Sequence, residues 1–283
     1  MEIRLHKISY IANKKTQLQK TILKDITALI KNNQITVFLG PNGSGKTTLA
    51  SIISLLNNID SGNITYDNIK INNKIDKINL NILKPKIGFI YQNSCDQFFC
   101  NTVKEEIEFA LDNLNYHTKD KAKRIKDSLK LVGLNPSYLD KDPLKLSNGE
   151  QKLLSIAITL SYNPEVIILD EPTLELDNHN QNKLIKLIKL MKLRYNKTII
   201  VFTKDSNFAH QIADYIYILN NGSIIVKGLK YKIFKNEKLL KENNLTMPDL
   251  IKFSYLVETE KSVKIEYRDD INDLMKDIYR HVR

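Results

Sequence analysis

Apolar and polar positions alternate over residues 3–10, Ile-Arg-Leu-His-Lys-Ile-Ser-Tyr, enough to predict a β-strand at the edge of a sheet. A polar break at 13–20 follows, then an apolar-rich piece at 22–30 and an Asn32-Asn33 turn before the uninterrupted apolar run 35–39. Residues 49–56 are helix-like. The Asp-Ser-Gly-Asn turn at 60–63 leads into strand-like residues 64–71, so antiparallel strands are expected beside the core. Residues 68–81, rich in Asn and Lys, are expected as a loop. After the short apolar piece 87–90, which ends on Tyr91-Gln92, the period lengthens. Ile107, Leu111 and Leu114, then Ile125, Leu129 and Val132, stand at helical spacing. A mostly helical insertion is expected from about 95 to 160, and Ser147 is placed to cap its last helix.

Short apolar runs return at 166–169 and 198–203, suited to buried parallel strands, with a helix at 183–193 between them. Residues 215–219 and 223–226, joined by Asn-Asn-Gly, predict a β-hairpin. Residues 229–283 read as short helices interrupted at Met247-Pro248. The pattern is that of an α/β fold over 1–228, followed by a C-terminal extension over 229–283.

Composition narrows the class only a little. A chain of 283 residues can bury one α/β core and a smaller appendage. No run approaches the roughly 18 apolar residues that would span a bilayer, and the N-terminus has no apolar signal-peptide core. The formal charge is +11, but only six of the 43 basic residues are Arg and the lysines are scattered. No cluster of basic residues comes with stacking aromatics, so nucleic acid is not an expected partner and an anionic membrane face is. Cys95 and Cys100 are too few for a disulfide framework or a zinc site, which fits a reducing cytoplasm.

The chemistry concentrates in two places. Gly40-Pro41-Asn42-Gly43-Ser44-Gly45-Lys46-Thr47-Thr48 lies between an apolar strand and a helix, the strand–GxxxxGK[ST]–helix pattern of a phosphate-binding loop. Its glycines let the backbone turn N–H groups inward as an anion nest at a helix N-terminus. Lys46 would reach the β- and γ-phosphates of a nucleotide, and the Thr47 hydroxyl would join a Mg²⁺ shell. The second place is the end of the run 166–169, where Asp170 and Glu171 follow. Asp170 would hold Mg²⁺ through water, and Glu171 would polarise the attacking water.

Phosphate loop, strand-end Gln92, Leu146-Ser147-Asn148-Gly149-Glu150 and the Asp170-Glu171 pair occur in the order found in ATP-binding cassette (ABC) ATPases, which residues 3–227 resemble. The resemblance implies a P-loop NTPase fold of the ABC type, with an antiparallel β subdomain and a helical subdomain. It implies a head-to-tail dimer, with ATP held between the phosphate loop of one subunit and the signature segment of the other. Gln92 resembles the glutamine that touches Mg²⁺ and relays motion to a membrane partner. Ser147 and Gly149, with Asn148 and Glu150, resemble the signature that contacts the partner's ATP. Asp177, in Leu174-Glu175-Leu176-Asp177, resembles an aspartate that crosses the dimer interface.

The tail narrows the family. Gly228, Phe234, Leu239-Leu240, Leu245 with Pro248, and a late helix at 270–278 are similar to the C-terminal extension of energy-coupling factor (ECF) transporter ATPases. The segment 88–103 is similar to the same family. That resemblance implies a pair of related ATPases, a membrane T subunit, a substrate-binding S subunit, and uptake of vitamins or transition-metal ions at the cytoplasmic face of the cell membrane. Either a heterodimer or a homodimer fits.

Four positions depart from the family pattern. Lys204 stands where a histidine would contact the γ-phosphate; lysine only donates, and carries a full charge. His210, six residues on, lies in the next helix and does not replace it. Asn148 and Glu150 replace Gly and Gln. Ala12 stands where an adenine-stacking aromatic is expected, with Tyr10 as an alternative if the loop shifts. Glu175 is bulky where the family has a small residue. Glu171, Gln92 and Lys204 are the expected catalytic positions. Two readings follow: one half of an asymmetric, hydrolysing heterodimer, or an ATP-dependent scaffold that dimerises on nucleotide without turning it over. An ATPase of another ABC importer is the alternative on the transport side.

Overall fold

The computed structural model describes residues 1–174, 176–261 and 265–281. Two sheets share one body. The larger has the strand order β10-β9-β3-β8-β7-β6, and the smaller has the order β2-β1-β4-β5. The strands of the larger sheet are β3 (Ile35–Leu39), β6 (Ile87–Ile90), β7 (Val166–Asp170), β8 (Thr198–Thr203), β9 (Tyr215–Asn220) and β10 (Ser223–Leu229). All neighbours there are parallel except β10, which closes a hairpin on β9. Their near-continuous apolar character reflects burial of both sheet faces.

Within β3 and β8 the side chains alternate between two cores. Ile35, Val37, Leu39, Ile199 and Val201 face one cluster with the helices, whereas Phe38, Ile200 and Phe202 face the other. In the second cluster Phe38 stacks on Phe202 and on Tyr217, with ring centroids 4.9 and 5.0 Å apart.

The smaller sheet is antiparallel: β1 (Ile3–Ala12), β2 (Lys20–Ile30), β4 (Ser61–Tyr66) and β5 (Ile69–Ile71). Here two expectations fail. β1 is interior, not an edge: Ile3 pairs with Ile30 of β2 on one side and with Tyr66 of β4 on the other. Its alternation records one buried and one wet sheet face, which says nothing about whether the strand edges are paired. Residues 68–81 are not simply loop either. Asp67, at φ 48°, reverses the chain into β5, and the Asp76 carboxylate accepts the Asn79 N–H to start α2 (Lys77–Leu83). The polar residues there serve as turn and cap.

The helices that position the site are α1 (Lys46–Ile53), α3 (Val103–Asn113), α4 (Lys121–Leu131), α5 (Asn148–Ser161), α6 (Asn178–Tyr195) and α7 (Ser206–Ile212). The chain ends in α8 (Lys230–Phe234), α9 (Glu237–Glu242), α10 (Asp249–Lys261) and α11 (Ile271–His281). Ile233, Phe234, Leu240, Leu245 and Ile251 are buried in the same cluster as β3 and β8, so these helices share the main core. Among the described residues, no helix is long and apolar enough to cross a membrane.

Candidate active site

Three neighbouring parallel strands, β3, β8 and β7, deliver their carboxyl ends to one edge of the sheet. Open α/β sheets bind ligands at that edge. Lys46 opens α1 after the loop that follows β3, Thr203 ends β8 with Lys204 next to it, and Asp170 ends β7 with Glu171 next to it. The loop is bent by glycine where bending is needed. Gly45 sits at φ 102° as the residue before α1, and a Cβ on Gly40 would come within 2.1 Å of the Leu219 carbonyl oxygen. No side chain caps α1, so its first N–H groups remain available to an anion.

These residues wall a cleft of about 650 Å³. Asn42, Gly43, Gly45, Lys46, Thr47, Thr48, Gln92, Glu171 and Lys204 line it, as the sequence predicts for a nucleotide site, and Lys20, Ile22 and Leu174 join them. Gly40, Pro41 and Ser44 do not line it; Gly40 and Ser44 are buried and Pro41 is half-buried. The Lys46 ammonium is 2.9 Å from the Gly40 carbonyl, 3.0 Å from that of Pro41 and 3.2 Å from Glu171 Oε1. Glu171 Oε2 accepts from the Thr203 hydroxyl at 3.1 Å and from the Lys204 N–H at 3.2 Å. Glu171 itself sits at φ 41°, a left-handed conformation unusual for a residue with a side chain. Such strain costs on the order of 1–3 kcal/mol and gathers at functional sites. Lys204 thus meets Glu171 through its main chain, while its exposed side chain faces the cleft.

Asp170 is almost fully buried, and burial raises its carboxyl pKa against the hydrogen bond from Thr47 that lowers it. Its Oδ1 has no hydrogen-bond partner. A buried orphan carboxylate oxygen beside the Thr47 hydroxyl, with Gln92 on the cleft wall, is a hard-oxygen donor set that fits Mg²⁺. Mg²⁺ commonly takes one or two carboxylates together with substrate phosphates.

The ABC transporter family model matches residues 23–174, more than half of the chain. The chain belongs to the ABC transporter family, and its fold is that of an ABC ATPase. Over most of its length it is similar to ECF transporter ATP-binding subunits. The EcfA2 protein of Clostridium perfringens is 30% identical over 272 residues, 96% of this chain and 94% of that one. Among solved structures, the ATP-binding cassette MJ0796, a dimer in a post-hydrolysis state bound to ADP and Pi, superposes with a TM-score of 0.74. It is 29% identical and covers 81% of this chain and 98% of its own. CbiO1 of Clostridium perfringens, part of the ABC transporter complex CbiONQ, gives 0.72 at 28% identity, covering 90% and 98%. The chain is an ATPase of this family, whose members bind ATP.

The remaining predicted positions of this ABC ATPase lie outside the cleft. None of Ser147, Asn148, Gly149 and Glu150 lines it, and neither does Asp177. Ser147 caps α5 in a reciprocal box: its hydroxyl accepts the Glu150 N–H while Glu150 Oε2 accepts from the Ser147 N–H at 2.9 Å and its hydroxyl at 2.8 Å. Glu150 Oε1 accepts from the Tyr138 hydroxyl at 2.6 Å. That bond, before the two from Ser147, holds the carboxyl below its ordinary pKa. Gly149 packs against Asn180, where a Cβ would come within 3.0 Å of the amide. Asp177 caps α6, accepting the Asn180 N–H at 2.7 Å, and is exposed. Glu175 lies outside the described residues. Tyr10 packs partly buried on the core under the antiparallel sheet, and Ala12 ends β1 opposite Lys20. No aromatic ring lines the cleft among the described residues. His210 is buried in α7 and stays out of the cleft, as its position in the sequence predicts.

Two supporting residues lie outside the set that the sequence motifs mark. Lys152 is buried on α5, and its ammonium donates to the carbonyls of Tyr91 (2.8 Å) and Gln92 (2.6 Å), tying the helix that begins at Ser147 to the glutamine segment. The signal was available: a lysine inside an otherwise apolar helix must reach acceptors. Glu106, buried on α3, accepts the Phe99 and Cys100 N–H groups at 2.5 and 2.7 Å and fixes the segment beyond Gln92. Nothing in the spacing of α3 singles it out.

Proposed function

We propose that this chain is one of two paired ATPases that power an ECF-type importer of vitamins or transition-metal ions from the cytoplasmic face of the membrane. One observation carries the reading. The cleft holds the phosphate loop and Glu171, with Asp170 buried next to it in the chain, yet this chain's own Leu146–Glu150 segment does not line it. The site therefore needs a second subunit's signature, and this chain's signature is left to serve the other ATP. Lys204 favours an asymmetric pair, in which the partner supplies a histidine to its own site.

In this reading the N–H groups at the start of α1 bind the triphosphate, and Lys46 leaves Glu171 for the phosphate oxygens. Asp170, Thr47 and Gln92 would hold Mg²⁺, which would neutralise negative charge on the phosphates. Glu171 accepts a proton from water as the water oxygen bonds to the γ-phosphorus and the bond from phosphorus to the ADP oxygen breaks. Lys152 and Glu106 hold the Gln92–Cys100 segment firmly enough to pass a shift in Gln92 outward. Exposed Phe99 and Phe109, edge to face at 4.6 Å, offer that segment an apolar contact for a membrane T subunit, which would carry the substrate-binding S subunit. The charge of +11 suits a protein held against an anionic leaflet.

Affinity purification from detergent-solubilised membranes tests the assignment. Recovery of the tagged chain with a second ATPase and an integral membrane subunit, in a complex that hydrolyses ATP, is expected. Recovery with ribosomes or DNA instead would reverse it.

A further inference from the structure

A second cleft, of about 770 Å³, lies where α6 and α7 meet α10, α11 and the segment before α11. Four carboxylates wall it: Asp205, Asp249, Asp269 and Asp270. In a chain with 43 basic and 32 acidic residues, no lysine or arginine lines this cleft. Asp205 and Asp270 accept N–H groups from Phe208 and Asn272, and Asp249 accepts from the Asn207 amide, all bonds that leave the negative charge in place. The one lysine paired with the four among the described residues is Lys230, 2.9 Å from Asp269.

The cleft also contains a group that lacks a partner. His210 is 2% exposed and lines the cleft, with its ring edge-on to Phe234 and Tyr267. Its Nε2 makes no hydrogen bond and lies 3.8 Å from Asp269 Oδ1, the oxygen that Lys230 approaches. Burial first, and Lys230 second, push its pKa down to about 4, so the ring is neutral at physiological pH. A neutral imidazole can accept a proton donor where an imidazolium cannot.

The ligand must be cationic, and the walls say more. The carboxylates do not converge as metal ligands would, since no three such side chains among the described residues are grouped for an ion. Phe253 and Ile271 add apolar wall to the same cleft. The volume is that of a small-molecule site, well beyond one ammonium head. Dispersed negative charge, apolar wall in the same cleft and a neutral acceptor match separated ammonium groups on a methylene chain. We propose that this cleft binds an elongated organic polycation of the polyamine class. Bound there, it bridges the C-terminal helices to Asp205, the residue next to Lys204, and this binding does not depend on the transport assignment.

Calorimetric titration of the full-length, nucleotide-free protein with spermidine at low salt tests the proposal. One saturable site is expected, weakened at least tenfold in the double variant Asp249→Asn/Asp270→Asn and unchanged in Asp127→Asn, an exposed control outside the cleft. Both cleft substitutions are at exposed positions, and circular dichroism checks that the fold is kept. In a separate thermal scan, spermidine should raise the melting temperature of the wild type more than that of the double variant. No saturable binding, equal binding by the double variant, or displacement by Mg²⁺ at matching concentration would overturn it.

Discussion

Lys46 and Glu171 stand 3.2 Å apart with side chains only 6% and 7% exposed, so the phosphate-binding cation and the expected catalytic base are held as one ion pair. The other carboxylate oxygen is fixed by Thr203 and by the Lys204 main chain. Glu171→Gln keeps an acceptor for those donors but removes the base. General-base catalysis contributes about 10²–10⁴-fold. Turnover of the assembled complex, followed by phosphate release, should fall at least several-fold, and by about 10²–10⁴-fold if this site carries the turnover, with ATP still bound. Unchanged turnover would mean that hydrolysis belongs to the partner's site alone.

Lys204 bonds Glu171 through its N–H, and Lys204→His retains that bond. The substitution replaces a hydrated ammonium on the cleft wall with a group that can both donate and accept. A several-fold rise in turnover of the assembled complex is expected. If turnover stays near zero while ATP still drives dimerisation, the chain is a nucleotide-dependent scaffold and the hydrolysing reading fails.

Burial raises the Asp170 carboxyl pKa, so its ionised form weakens the nucleotide-free fold. The sign follows directly. Below the ordinary carboxylate range the group is protonated in both states and contributes nothing. As pH rises through that range to the raised folded value, stability is lost. Asp170→Asn should therefore raise the melting temperature at pH 7 but not near pH 3. About 1 kcal/mol of relief corresponds to about 2–4 °C for a chain of this size. The same variant should lose the stabilisation that MgATP gives the wild type. A lower melting temperature at pH 7 would contradict the account.

Much of this site is legible in the residues themselves. Gly40–Thr48 and Asp170-Glu171 announce it because phosphate binding demands particular backbone and oxygen chemistry at strand ends, and the cleft brings most of them together. Edge and centre were not legible for β1, since the same alternation serves either position. Nor was the role of Asp67 and Asp76, whose polarity suits loop, turn and cap alike until the neighbouring strand is known. Lys152 was visible only as an oddity, because its acceptors, the Tyr91 and Gln92 carbonyls, lie some 60 residues away. The direction in which Glu150 turns was beyond sequence altogether, since it depends on Tyr138.

That direction yields the last test. Glu150 replaces a neutral glutamine of the family pattern, and its carboxylate is folded onto Ser147 and Tyr138. Its hydrogen bonds, that from Tyr138 first, hold its carboxyl pKa below the ordinary value, and like any such carboxylate it is ionised at neutral pH. If Ser147 meets the partner's triphosphate, this charge sits beside it and engages the hydroxyl that would donate to phosphate. Glu150→Gln retains the capping box, because glutamine serves it equally well. The expected result is a several-fold lower KM for ATP in the assembled complex, largest at low salt. Repulsion between partly exposed charges is screened over about 10 Å at 0.1 M ionic strength, so the gain should shrink as salt rises. A gain that ignores salt and tracks the melting temperature would assign Glu150 to the stability of α5 alone.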